Sequence, residues 1–199
     1  MKSNCKKCRI AGEKLFLKGD KCFSPSCPLL KKKEKRVRGQ KVSSFKKQII
    51  EKRKIKIYYG LSERQLRRFY ELALKKKEST PEALAQLLES RLDSVIFRLG
   101  FANSKKAARQ LVSYGHFLLN NRRCDIPSRI VKPNDVISIR QRSLKSKVFE
   151  EVREKIKKIT PPSYLELDKE KLIAKLIKTP DVNELNLPFD FKIIIEAYA

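Results

Sequence analysis

Four cysteines in the first 27 residues carry the sharpest chemical signal in the chain: Cys5 and Cys8 as C-x2-C, then Cys22 and Cys27 as C-x4-C, with thirteen residues between the pairs. Two close thiolate pairs brought together across a loop supply the tetrahedral sulfur set that Zn(II) takes. A closed set of four leaves no position for water, so such a site is structural. An iron–sulfur cluster would also accept four cysteines, though no feature favours it, and four unliganded thiols are the plain alternative. Cys124 has no partner near it in sequence and reads as a small packed residue.

The second signal is charge. Lys and Arg number 48 against 22 Asp and Glu, a formal net charge of +26. Self-repulsion on that scale opposes a compact state unless a polyanion neutralises it. Each phosphate met by Lys or Arg also releases counterions, which favours nucleic acid over an anionic membrane surface. The charge is uneven: residues 1–60 hold 20 basic and 4 acidic side chains, residues 159–199 hold 5 and 7. Phosphate contacts are therefore expected first from Lys31, Lys32, Lys33, Arg36 and Arg38 in the run KKKEKRVRGQK. That run is too poor in apolar residues to bury anything; it is a solvated linker or, as favoured here, an arm that orders along RNA. Lys46, Lys47, Arg53 and Lys54 follow on a basic helix, where Tyr58 could stack on a base or pack internally. A third group comprises Arg91, Arg98, Lys105, Lys106, Arg109, Arg122, Arg123, Arg129 and Lys132, with His116 beside them; ordinary solvated side chains, and an incidental histidine, are the plain alternative. Lys105 and Lys106 fall in a first helical turn, where the dipole disfavours cations; approaching phosphate would reverse that preference.

Catalysis finds little support. The chain has one histidine, no Gly-rich phosphate loop and no G-x-S-x-G. Arg91-Leu92-Asp93 resembles the catalytic aspartate motif of pseudouridine synthases, but too little chain flanks it to build a catalytic domain. A carboxylate at a helix start is ordinary. No apolar run approaches the roughly 18 residues of a membrane span. Cysteines and lysines stand where a signal peptide would need apolar residues, so the chain is expected to remain in a reducing compartment.

The elements that position these residues read as α+β: an N-terminal zinc-bearing segment and a helical domain, an inserted RNA-binding module of two helices and a β-hairpin, and short C-terminal strands. KLFLKG (14–19) reads as a small strand entering a turn. Phe45, Ile49, Ile50 and Tyr58 mark one face of a helix ending at Gly60. Ser62 to Gln65 is a capping box with Leu61 at the staple position, ahead of Leu66, Phe69, Tyr70, Ala73 and Leu74. Thr80-Pro81 opens another helix, Leu92 to Leu99 forms one closed by Gly100, and Ser104 caps one closed by Gly115. A hairpin is expected around Asn120-Asn121, a strand at 136–140, a polar helix at 146–159, and strands at 164–167, 172–177 and 191–198. The boundaries are 1–41 for the cysteine segment and arm, 42–90 completed by 146–199 for the helical domain, and 91–145 for the module.

ESRLDSVIFRLGFANSKKAARQLVSYGHFLLNNRRCDIPSRIVKPNDVISI (89–139) is similar to the RNA-binding module of the bacterial-type S-four family of small-subunit ribosomal proteins. YGLSERQLRRFYELA (59–73), LKGDKCFSPSC (17–27), PPSYLELD (161–168) and IIIEAYA (193–199) resemble further parts of that family, in order along nearly the whole chain. The resemblance implies a non-enzymatic primary binder of 16S-type rRNA, docking on a 5′-domain junction early in small-subunit assembly. It further implies a neighbour in ribosomal protein S-five, influence on translational accuracy, mRNA passing close by where it enters, and one Zn(II) on Cys5, Cys8, Cys22 and Cys27. Location follows as the cytoplasmic or an organellar ribosome. The same module occurs in pseudouridine synthases and ribosome-rescue factors, which are the alternative. The family's Pro-Pro-Gly-Gln-His-Gly segment survives here only as Gly39-Gln40 in a shortened KRVRGQK stretch, a departure that bears on the local RNA contact there.

Overall fold

The computed structural model describes residues 4–29, 43–157, 159–181, 184–185 and 187–198. The chain forms two compact units, Met1–Ala85 with Asn186–Ala199, and Gln86–Leu185.

The first unit is helical. After α1 (Asn4–Ala11) the expected strand at 14–19 is replaced by a turn, because Phe16 (φ 50°) and Gly19 (φ 61°) both adopt left-handed backbone. The Gly19 N–H donates to the Phe16 carbonyl at 3.3 Å, and a 3-10 turn over Gly19–Cys22 follows. Helix α2 (Ser44–Tyr59) starts where the Ser43 hydroxyl accepts from Lys46 N–H and stops at Gly60 in left-handed conformation (φ 63°). Its covered face is not the expected one: Ile55 and Tyr59 are buried, whereas Phe45 and Ile49 are exposed. The apolar pattern of α2 is weak, so what packs against it decides which side is covered; α1 and α9 are its neighbours in this unit. Helix α3 (Glu63–Leu74) has the expected reciprocal capping box between Ser62 and Gln65. Helix α4 (Thr80–Glu89) follows.

The terminal stretch expected as a strand is instead helix α9 (Phe191–Glu196). Asp190 accepts from the Lys192 N–H at 2.8 Å to start it, and Phe191 and Ile194, three apart, are both buried. The isoleucine run suits a strand only where a sheet is there to receive it.

The second unit contains α5 (Leu92–Arg98), α6 (Lys105–Ser113), β1 (Phe117–Leu119), β2 (Arg122–Arg123), β3 (Val136–Ile139), α7 (Gln141–Leu144), α8 (Lys147–Lys157), β4 (Leu165–Asp168) and β5 (Ile173–Leu176). Its strands form one antiparallel sheet in the order β2-β1-β3-β5-β4. Asn120 (φ 50°) and Asn121 (φ 63°) supply the two left-handed positions that a primed hairpin turn needs. The Asn120 amide also donates to Asp135 and accepts from Val136 N–H, both at 2.8 Å, tying the turn to β3. Because β5 pairs with β3 (Ile137 opposite Ala174), residues 165–176 extend the module's sheet. The expected completion of the helical part by 146–199 is thereby confined to 186–199. Phe117 sits edge-on between Phe101 (5.8 Å) and Phe149 (6.0 Å) at the centre of this unit's core.

Candidate nucleic-acid interface

The first turn of α5 is satisfied from outside the helix. Leu92 N–H donates to the Arg129 carbonyl (2.8 Å) and Asp93 N–H to the Pro127 carbonyl (3.1 Å), so the loop after β2 is pinned to that helix end. The Ser104 hydroxyl accepts from Ala107 N–H at 3.2 Å and starts α6.

Several cations expected to face phosphate are turned inward. Arg91, 1% exposed, forks onto Asp93 with Nε–Oδ1 at 3.0 Å and Nη2–Oδ2 at 2.6 Å. Glu89 is fully buried and accepts from Arg98 Nε and Lys105 Nζ, each at 2.8 Å, while Lys105 also donates to the Ser94 hydroxyl at 3.0 Å. Arg109 Nη1 stands 4.0 Å from Asp93 Oδ2. Four cations thus share two carboxylates. Burial alone would raise the Glu89 pKa, but Lys105 and Arg98 hold it down at about 2. Burial, with Arg98 beside it, lowers Lys105 to about 8 in spite of Glu89. Of the two cations in the first turn of α6, Lys105 is therefore held by Glu89, whereas Lys106 is exposed. In the first unit Lys54 is likewise enclosed, at 2.7 Å from both Glu13 and Glu51. Burial disfavours its charge, yet the two carboxylates raise its pKa above the ordinary lysine value.

Lys106, Arg122, Arg123 and Arg129 are exposed in the second unit and Arg109 is half-buried; Lys46, Lys47 and Arg53 are exposed on α2. The Arg123 guanidinium lies over Gly115 (φ 71°), where a Cβ would stand 2.5 Å from Nε, and its Nη2 is 3.7 Å from Asp125. His116 packs edge-on to Phe149 (5.5 Å), with Nδ1 2.9 Å from the Ser143 hydroxyl. Burial and the nearby Arg140 lower its pKa, so it is neutral at physiological pH. Tyr58 belongs to an aromatic cluster with Tyr59 (5.0 Å) and Phe189 (5.4 Å), the packing alternative. Lys31, Lys32, Lys33, Arg36 and Arg38 lie outside the described residues.

Cys5, Cys8, Cys22 and Cys27 line one pocket together with Lys14, Leu17 and Lys18. The Lys18 N–H points at Cys22 Sγ at 3.3 Å, and burial pushes the Cys8 thiol up. Among the described residues, however, no group of three or more His, Cys, Asp or Glu stands close enough to hold a metal ion, so the expected tetrahedral set is present only as a shared pocket. Soft thiols gathered from two pairs suit Zn(II) chemically.

Residues 1–89 match the family model described as ribosomal protein S4/S9 N-terminal domain, and residues 90–137 match the S4 domain. The small ribosomal subunit protein uS4 of Syntrophomonas wolfei is 40% identical over 202 residues, covering 99% of this chain and 97% of that protein. That of Thermoanaerobacter sp. strain X514 is 42% identical over 203 residues, covering 98% and 96%. The chain belongs to the uS4 family.

The S4 domain of this uS4 chain thus takes in α5, α6 and the β1–β2 hairpin and reaches β3. Asp93, forked by Arg91, has the structural role expected of a helix-start carboxylate. Outside the residues expected from the sequence, Tyr114, 64% exposed and edge-on to His116, and Arg142 and Lys145 around α7 also lie exposed. The signal was the run RQRSLKSK (140–147), which reads as the approach to a polar helix. In the structure Arg140 N–H bonds the His116 carbonyl at 2.9 Å, tying that run to β1.

Proposed function

We propose that this uS4 chain is a non-enzymatic structural constituent of the small subunit of the cytoplasmic ribosome, where it binds 16S-type rRNA. One observation carries the RNA part: once the inward-turned cations are set aside, Lys106, Arg122, Arg123 and Arg129 still project from α6, the hairpin and its following loop. They stand on a module whose buried carboxylates, Glu89 and Asp93, are already engaged, in a chain of net charge +26. Among the described residues, only Arg123 of these cations stands near an exposed acid, Asp125. Rigid placement of solvated cations is what backbone-directed phosphate contact requires.

Early docking on the 5′-domain junction, a shared surface with ribosomal protein S-five, proximity to mRNA where it enters, and a contribution to translational accuracy belong to the same reading, supported by the resemblance along the chain. Lys31, Lys32, Lys33, Arg36 and Arg38 would add an arm along the RNA. Cys5, Cys8, Cys22 and Cys27 would hold one Zn(II), whose chemistry here is a structural cross-link. The shared pocket and the Lys18 N–H aimed at Cys22 support that assignment.

The test is titration of the full chain with a 16S 5′-domain transcript and with duplex DNA over a range of salt. RNA preference with a steep salt slope is expected, and Arg122→Ala with Arg123→Ala should lower that slope by roughly 2. Equal affinity for duplex DNA would overturn the reading. Metal analysis of the purified chain should find one zinc, lost in Cys22→Ser.

A further inference from the structure

The cysteine segment carries an aromatic surface that neither the charge pattern nor the module explains. Phe16 and Phe23 stack with ring centroids 5.1 Å apart at 29°, yet they remain 39% and 70% exposed. Their neighbours in sequence behave differently: Leu15 is fully buried with Cys8 and Ala11, and Leu17 packs on the same cluster. The backbone at Phe16 is left-handed (φ 50°), a conformation unfavourable for a bulky side chain, and the ring it carries is not used to fill the core. Lys14 Nζ lies over both rings, 5.4 Å and 5.6 Å from their centroids, and Lys18 and Lys21 are exposed nearby in sequence.

An open aromatic face among cations matches an unpaired nucleotide: the base stacks on the ring and the lysines meet its phosphates. A protein neighbour would find the apolar face but would gain little from three lysines. We propose that Phe23, backed by Phe16 and held under Lys14, is a stacking platform for an unpaired base of the rRNA. This deepens the rRNA-binding reading and rests on it.

The experiment titrates full-length wild type, Phe23→Leu and Phe23→Tyr with the 16S 5′-domain transcript, reading affinity and salt slope. Phe23→Leu keeps apolar bulk but removes the π face; it should weaken binding roughly 5- to 100-fold with an unchanged salt slope. Phe23→Tyr should restore affinity, which separates stacking from misfolding. Wild-type affinity in Phe23→Leu overturns the platform while leaving rRNA binding intact. Normal RNA affinity combined with loss of the variant from assembled subunits would assign the face to a protein neighbour, and also overturns it. Failure of the wild type itself to bind would instead sink the rRNA reading.

Discussion

The cysteine segment and the helix–hairpin module both present cations, but they are organised by different forces. In the segment the buried residues are Cys8, Ala11, Leu15, Cys22 and Cys27, three of them thiols. So few apolar groups cannot offset a backbone ordering cost of about 1–2 kcal/mol per residue. The unit that carries the module has a five-stranded sheet, a three-phenylalanine core and a set of ion pairs under α5 and α6. The difference teaches that positive charge has two uses in one fold. In the module some cations are structural, neutralised inside before any RNA is met. In the segment a small core leans on Ile57 of α2 and on the Lys54–Glu13 pair, and a cross-link or a partner would have to supply the rest of its order.

The sharpest way to break this comparison is to test the proposed zinc by removing it. Structural zinc sites can supply most of the folding energy of a small segment. A chelator should therefore abolish amide protection over residues 4–29 while leaving that of residues 92–139 unchanged, as hydrogen exchange would show. Equal loss in both regions would mean that the segment is not separately cross-linked.

The next largest effect is expected at Glu89. Glu89→Gln leaves Lys105 and Arg98 facing a neutral amide in a buried site, and breaking such a set costs about 3–5 kcal/mol. Denaturant unfolding should register that loss, whereas metal content should not change. The same carboxylate sets an acid limit. Its folded pKa of about 2 lies below the ordinary 4.5, so the stability it contributes is complete above pH 4.5 and is lost as pH falls toward 2. Thermal unfolding in that window should flatten in Glu89→Gln relative to wild type.

These inward cations mark where sequence reading stopped. Elements whose cause lies within a few residues were legible: Gly60 ending α2, the Ser62–Gln65 box, Ser104 starting α6, Asn120-Asn121 turning the hairpin. Lys105 was not, since its partner Glu89, the last residue of α4, is sixteen residues away and meets it only in the folded chain. A carboxylate directly after Leu87-Leu88, in a helix with Leu84 and Leu88 on its apolar side, was the available hint, because a charge on a buried face needs a partner. Strand β5 carried the right alternation, but nothing local assigns it to β3 rather than to the helical unit. The isoleucines of α9 misled because intrinsic β preference was read without the Asp190 cap.

A smaller effect sharpens the contrast at α6. Ser104→Ala removes the hydroxyl that accepts from Ala107 N–H, at a typical cost of about 1 kcal/mol. With Glu89 intact the module should absorb that loss without a change in rRNA affinity. A matching loss of affinity would place α6 order, not its exposed cations, in control of binding.

The least effect is expected at the hairpin tip. Asn121 sits at φ 63°, where glycine carries no steric penalty, so Asn121→Gly relieves native-state strain. The same change gives the unfolded chain more conformations to lose, which offsets the relief. The Asn120 amide, not Asn121, makes the bonds to Asp135 and Val136, so β1–β3 register should survive. Unfolding free energy should therefore move by less than about 0.5 kcal/mol, typical of a change that disturbs no buried contact. A larger drop would mean that the module's hairpin depends on Asn121 for more than its backbone angle, and that the module is less self-sufficient than its core implies.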